Sequence, residues 1–394
     1  SINSQIIQGI SSAGGRIYVG GQTIASTLDG QTNSWGKTGY LSAYDNSGNK
    51  LWTRLLPGYT GTRSITSDDS GIYAAGFTYF GLNGQSSYGG ADAFIAKFDT
   101  SGNLLWTSTI GGSGENANGG TNQISSNGSH VAIAGYTNQS IDGQPEASGG
   151  FVSFFTANGT KLWTKMRTDG IGPVHVGPDS SVYISGGKSG TSDFYVTKLD
   201  SSGNQVWTNI FGTAGTDSSN QLLINSDGEL IVLAATTGSL PGFSNSGSGD
   251  HALLKINPVN GSLISESQWG AAGADSARQL AVTADGSLYL SGTTSYSLPD
   301  NTFLGGTSDA YLIRFSDANN RPGQPTTPVI RGNSLYSIVE GQTWSQAQAK
   351  SIDFGDNLTT IETQDEDTFL INNLYGVPSH QPGGGDTTSP RNVY

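Results

Sequence analysis

The chain has 394 residues, 58 of them glycine and none cysteine, with a formal net charge of −13. That charge opposes binding to a nucleic-acid backbone or an anionic lipid surface. The missing thiols exclude disulfides, thiolate metal sites and cysteine catalysis, and no apolar run reaches the ~18 residues of a membrane helix.

The chain starts at Ser1 rather than Met, with no charged-then-apolar leader, so any signal peptide is expected to have been removed already. Together with the Gly-, Ser-, Thr- and Asn-rich composition, this places the expected protein outside the cell or at its surface. From Ile17 onward the chain repeats itself. IYVGG at Ile17 recurs as IYAAGFT at Ile72, VAIAGYT at Val131, VYISGG at Val182, LIVLAATT at Leu230 and LYLSGTT at Leu288. The period is about 54 residues, the size of one propeller blade. A second motif follows each of the first four: Gly39–Trp52, Asp92–Trp106, Gly150–Trp163 and Asp193–Trp207. Weaker copies span Asp250–Ile264 and Asp309–Ala318.

Each unit parses into four short strands without helical periodicity. In the third unit these are NQISS, HVAIAGYT, GFVSFFT and KLWTKM, and in other units turns such as D-N-S-G-N, D-T-S-G-N and D-S-S-G-N join the last two strands. In such turns Asp caps its own backbone and Gly supplies the positive φ. A single blade cannot bury both faces, so neighbours must stack around an axis. The predicted fold is therefore all-β: a six-bladed β-propeller of four-stranded antiparallel blades over 1–318. Trp52, Trp106, Trp163 and Trp207 are read as packing between blades. The sixth unit lacks its LW strand, and ring closure is expected to borrow Ser1–Gly9 to complete or brace it.

These units resemble the bacterial seven-bladed-propeller-type (SBBP) repeats of secreted proteins. The resemblance rests on Gly111–Ala117, Gly270–Ala277, Gly305–Phe315 and Asp99–Trp106, and covers about Gln5 to Ala318. The count is six rather than seven. Either the ring has six blades, or one lies outside this sequence.

A Pro/Gly-rich linker, 319–331, leads to a small α+β segment, 332–394. Ser334–Val339 is predicted as a strand. A helix follows from the capping box of Thr343 and Gln346 to Gly355, then a strand at Asn357–Ile361. A second helix opens on Thr363 and Glu366. Tyr336, Trp344, Ala347, Asn357–Ile361, Glu366, Phe369 and Leu370 make this segment resemble the first half of a C-type lectin-like domain. The family's cysteines and its calcium-bearing second half are absent. Its calcium mechanism of sugar binding is not expected here, and the natural polypeptide is expected to continue beyond Tyr394.

No catalytic constellation is found. His130, His175, His251 and His380 fall at unrelated repeat positions without metal-ligand spacing, and no Walker loop or nucleophile elbow occurs. The connections from fourth to first and from second to third strand share one side of the disc, where loops are long and variable. Their aromatics Trp35, Tyr59, Tyr79, Phe80, Tyr88, Phe243, Tyr296 and Phe303 are the candidate ligand-binding residues. Glu115, Asp217 and Asp275, at equivalent repeat positions on that side, are a candidate Ca²⁺ site, and no other cofactor is expected.

The expected function is non-enzymatic recognition or adhesion toward glycans or surface proteins, through propeller loops and the lectin-like module. One alternative is a structural subunit of an appendage, surface layer or phage fibre, self-assembling through the unfinished blade or the lectin-like half. The other is a propeller enzyme of quinoprotein or glycosidase type. Neither nucleic-acid binding nor membrane insertion is expected.

Overall fold

A computed structural model describes residues 5–84, 90–111, 120–138, 140–144, 148–283, 288–296 and 309–315, with the short strands Val329–Arg331 and Ser334–Tyr336. Six antiparallel sheets follow one another along the chain, five in the strand order 1-2-3-4 and the sixth with its described strands in the order 1-2-3. Blade 1 is Gln5–Ala13, Arg16–Thr23, Thr38–Asp45 and Lys50–Leu55; blade 2 is Thr60–Asp68, Gly71–Thr78, Asp92–Phe98 and Leu104–Ile110. Blade 3 is Gly120–Ser126, His130–Thr137, Gly149–Thr156 and Lys161–Arg167; blade 4 is Val174–Val176, Val182–Gly187, Phe194–Leu199 and Gln205–Phe211. Blade 5 is Asp217–Ile224, Leu230–Thr236, Asp250–Ile256 and Leu263–Trp269. Blade 6 has three described strands, Asp275–Val282, Leu288–Thr294 and Asp309–Phe315. The six-bladed, all-β propeller read from the repeats is the observed fold.

The amino-terminal strand departs from expectation. Gln5–Ala13 pairs with Arg16–Thr23 along its whole length, as the first strand of blade 1. It does not complete blade 6, and Ser1–Ser4 lie outside the described residues. The short hairpin at Gly14 and Gly15, both with positive φ, explains the choice: a two-residue turn brings the adjacent strand into register before any distant edge can compete. The short antiparallel pair Val329–Arg331 with Ser334–Tyr336 begins inside the segment read as linker. Both predicted helices, and the rest of the lectin-like segment, lie outside the described residues.

First strands of successive blades pack on one another and so surround the axis. In five blades this strand carries a bulge at the same register: Gln8, Arg63, Asn122, Asn220 and Arg278. The bulge adds twist and places Ile10, Ile65, Ile124, Leu222 and Leu280 at one equivalent site just beyond it. Both faces of most blades are apolar, and five clusters fill the seams between blades 1 and 2 through 5 and 6. Burying one such aliphatic side chain contributes roughly 1.5–3 kcal/mol.

The repeated tryptophans lock four of those seams. The indole N–H of Trp52, Trp106, Trp163 and Trp207 donates to a carbonyl in the next blade's 3–4 turn: Thr100, Ala157, Ser201 and Pro258, at 2.9–3.2 Å. The ring lies on that turn's glycine. A Cβ on Gly102, Gly159, Gly203 or Gly261 would come within 2.7–3.0 Å of it. Glycine is thus required twice, for its positive φ and for the indole above it. Ser265 occupies the Trp position in blade 5. The Asp side chains of these turns cap themselves as expected, Asp45, Asp99 and Asp200 each accepting from backbone N–H groups two and four residues on.

Gly48, the equivalent glycine of blade 1, has positive φ but nothing within 4 Å of its Cβ position. Gly159→Ala is therefore expected to cost about 2–4 kcal/mol and Gly48→Ala only about 1 kcal/mol, the left-handed backbone term alone. Urea denaturation of the two variants measures this, and equal losses would argue against the indole–glycine lock.

Candidate functional site

Threonine at the end of the second strand anchors the 2–3 loops. Thr23, Thr78, Thr236 and Thr294 are buried, and each hydroxyl bonds loop backbone two or three residues on, at Ala25, Gly81, Gly238 and Tyr296. A second loop signal is an aliphatic residue two before glycine: Leu28-Asp29-Gly30, Leu82-Asn83-Gly84, Ile141-Asp142-Gly143 and Leu240-Pro241-Gly242. Leu82, Ile141 and Leu240 fold down into the seams. Asp29 and Asp142 then hold the outer strand, pairing with Lys50 and Lys161 at 2.7 Å and accepting from the Thr53 and Thr164 hydroxyls. Ion pairing and these hydroxyls lower both carboxyl pKa values. Sequence reading treated these loops as ligand-facing. Half of each is an internal brace, legible in retrospect from the recurrent aliphatic-x-Gly spacing.

What remains exposed is aromatic. Four of the eight predicted residues converge on the rim across blades 1 and 2. Trp35 meets Phe80 with centroids 6.0 Å apart, and Tyr59 meets Tyr79 edge-on at 5.2 Å. Tyr79 also contacts Phe77 at 6.0 Å. Trp35 and Phe80 are 52% and 65% exposed, values that leave ring faces open to solvent. The Lys37 ammonium and Arg63 guanidinium lie over the Phe77 ring, 5.4 and 5.2 Å from its centroid.

Buried polar groups hold this patch in place. Asn33 donates to the carbonyls of Ala25 and Gly36 and accepts from the Trp35 N–H, fixing the tryptophan loop. Thr38 donates to the Leu56 carbonyl and Thr60 accepts from Gly39 N–H, pinning the connection that carries Tyr59. Tyr79 N–H then donates to the Tyr59 carbonyl. Asn33, Thr38, Thr60 and Thr78 were missed by sequence reading, since isolated polar residues in loops carry no periodic signal. Below the rim, the same seam holds a cavity of about 310 Å³ lined by Leu56, Pro57, Leu82 and Leu104.

The remaining predicted aromatics do not join this patch. Phe243 and Tyr296 lie on the loops of blades 5 and 6. Tyr88 and Phe303 are outside the described residues. Of the candidate calcium ligands, Glu115 is also outside them. Asp217 and Asp275 each cap their own turn, accepting from the backbone N–H groups of Thr213 and Ala271 four residues earlier. Among the described residues no group of three His, Asp or Glu is placed to hold a metal.

Three histidines bridge consecutive seams. His130 Nδ1 shares a hydrogen bond with Ser180, His175 Nε2 accepts from Ile224 N–H, and His251 Nδ1 accepts from Ala277 N–H. His251 Nε2 therefore carries the proton and donates to Tyr311 Oη. His380 lies outside the described residues. Burial pushes the His175 pKa down to about 4 and lowers that of His251.

Both groups must stay neutral to accept these backbone bonds. The unfolded chain, with ordinary histidines near 6.5, binds protons first as pH falls. Stability is thus full above pH 6.5 and declines toward pH 4, by at most about 3 kcal/mol from His175. Urea midpoints at pH 7 and 4.5 should show this decline, reduced in His175→Gln; an unchanged slope in the variant would assign it elsewhere.

No family model matches the chain. It is similar to the regulatory protein FlaEY of Caulobacter vibrioides, 24% identical over 257 residues, which covers 56% of this chain and 25% of that protein. The chain thus spans about a quarter of that curated relative's length. Among solved structures it is similar to BamB from Moraxella catarrhalis, with 15% identity and a TM-score of 0.37, covering 72% of this chain and 82% of that one. It is also similar to a quinohemoprotein alcohol dehydrogenase from Pseudomonas putida HK5, with 11% identity and a TM-score of 0.41, covering 80% and 68%. At such identities no chemistry transfers. Among the described residues no helix is long and apolar enough to cross a membrane.

Proposed function

We propose that this protein is a non-enzymatic recognition module that binds glycans through the aromatic rim of blades 1 and 2. The observation carrying this reading is the pair Trp35 and Phe80, large apolar rings held open to solvent by a rigid, hydrogen-bonded loop framework. Exposed rings on fixed loops offer flat faces to sugar C–H groups without an ordering cost on binding. Lys37 and Arg63 at the edge of the patch favour sugars bearing carboxylate or sulfate over neutral ones. Support for an extracellular setting comes from the cysteine-free, acidic composition and from the SBBP-like motifs. The three described histidines and the two described acids of the candidate metal set serve as seam bridges and turn caps, which fits a scaffold working by surface contact.

Glycan-array binding tests the proposal. Wild-type protein should bind acidic glycans, and Trp35→Ala or Phe80→Ala should weaken binding at least tenfold, with unchanged thermal midpoint because both side chains are exposed. Retained binding in both variants would move the site elsewhere. Turnover of a sugar ester or alcohol by the wild type would replace recognition with catalysis.

A further inference from the structure

Five seams join six blades in a row, so two blade faces are left over. The first is the face of blade 1 that corresponds to the one each later blade turns toward its predecessor. Ile10 sits there at 68% exposure, whereas its equivalents Ile65, Ile124, Leu222 and Leu280 are 3–7% exposed inside seams. Ile17 and Val19 beside it are only half-buried, although Ile72, Val131, Leu230 and Leu288, equivalent to Ile17, are fully covered. Leu28, the loop residue matching the buried Leu82 and Ile141, is likewise half-buried. The open space over Gly48 belongs to the same face.

The second is the face of blade 6 that corresponds to the one each earlier blade turns toward its successor. Leu312 is 68% exposed there, while Leu41, Ile95, Val152, Val196 and Leu253 at the same register are 0–6% exposed. Tyr289 is half-buried, where its counterparts Tyr18, Tyr73 and Tyr183 are covered by the next blade. Within one chain these two faces do not cover each other, since both Ile10 and Leu312 stand open.

We propose that these faces dock on one another between chains, blade 6 of one copy against blade 1 of the next, continuing the stack head to tail. The argument is continuity with an interface the molecule already makes five times. Each seam joins one face of each kind, and the two unmatched faces are one of each. The described strands of blade 6 bring no tryptophan to the Gly48 turn. The seam between blades 5 and 6 shows that none is needed: with Ser265 in the Trp position, Leu253, Leu280, Leu290 and Tyr311 still pack it. Such a contact is heterologous, so it propagates into a filament or closes into a ring of several copies rather than stopping at a two-fold dimer. The inference rests on the blade faces and is independent of the aromatic rim, which lies on the disc side.

Light scattering after size exclusion, on the full chain over a range of concentrations, tests this with Ile10→Asp and Leu312→Asp. Both sites are exposed, so neither charge should disturb folding, which circular dichroism checks. Wild type should form concentration-dependent species larger than a dimer, and each variant alone should be monomeric. An equimolar mixture of the two should form a dimer and go no further, because it retains one good face on each chain. A Cys-free background also allows Ile10→Cys with Leu312→Cys, expected to crosslink between chains. A monomeric wild type, assemblies indifferent to both charges, or a disulfide formed within one chain would overturn the proposal, the last by showing that the ring closes on itself.

Discussion

A four-stranded sheet with apolar side chains on both faces is stable only with another sheet against each face. That requirement organises the whole molecule. It explains why consecutive repeats stack in chain order and why the aliphatic positions of the second strands of blades 2 to 6 are at or near zero exposure. It also explains why the polar exceptions sit where one blade touches the next. The tryptophan indoles, His175 Nε2 and His251 Nδ1 meet a neighbouring blade's backbone, the turn glycine lies under a neighbour's indole, and His130 meets the Ser180 hydroxyl. Groups that could have looked catalytic are thereby engaged in joining sheets, and the same packing lowers the pKa values of His175 and His251.

The rim follows from the same constraint. Loops leaving a tightly packed disc must either fold back onto a seam or stand free. Aliphatic residues before glycine fold back, anchored by buried threonines and by Asp29 or Asp142 on the outer strand. The rings of Trp35 and Phe80 stand free and pack against each other instead. The result is a rigid frame presenting a few apolar faces, the arrangement that recognition by stacking demands.

Much of this was legible from residue spacing. The ~54-residue period, the alternation within each unit and the Asp-Gly turns specify four-stranded blades, because strand geometry and turn chemistry are local. The core role of Trp52, Trp106, Trp163 and Trp207 was also readable, one per unit at a constant offset. The pairing of Gln5–Ala13 was not: its apolar pattern suits any sheet edge, and the tight Gly14-Gly15 turn decided the partner. Of the eight candidate aromatics, side of the disc could be inferred for each from strand order. Their convergence could not, since Trp35 and Phe80 come from different repeats and meet only when blades 1 and 2 pack. Asn33 and the seam-bridging histidines were invisible for the same reason, having partners in irregular loops or 26 to 60 residues away in the next blade.

What the amino-acid order settled alone is the nature of the repeating unit and its number, since hydrophobic alternation and turn residues act over a few positions. What only the tertiary structure decided is which faces find partners. Burial is a property of neighbours, and Ile10 and Ile65 occupy the same place in the repeat. Ile65 lies in a seam because blade 1 packs before its own blade, and Ile10 lies in solvent because no described blade packs on that face of blade 1.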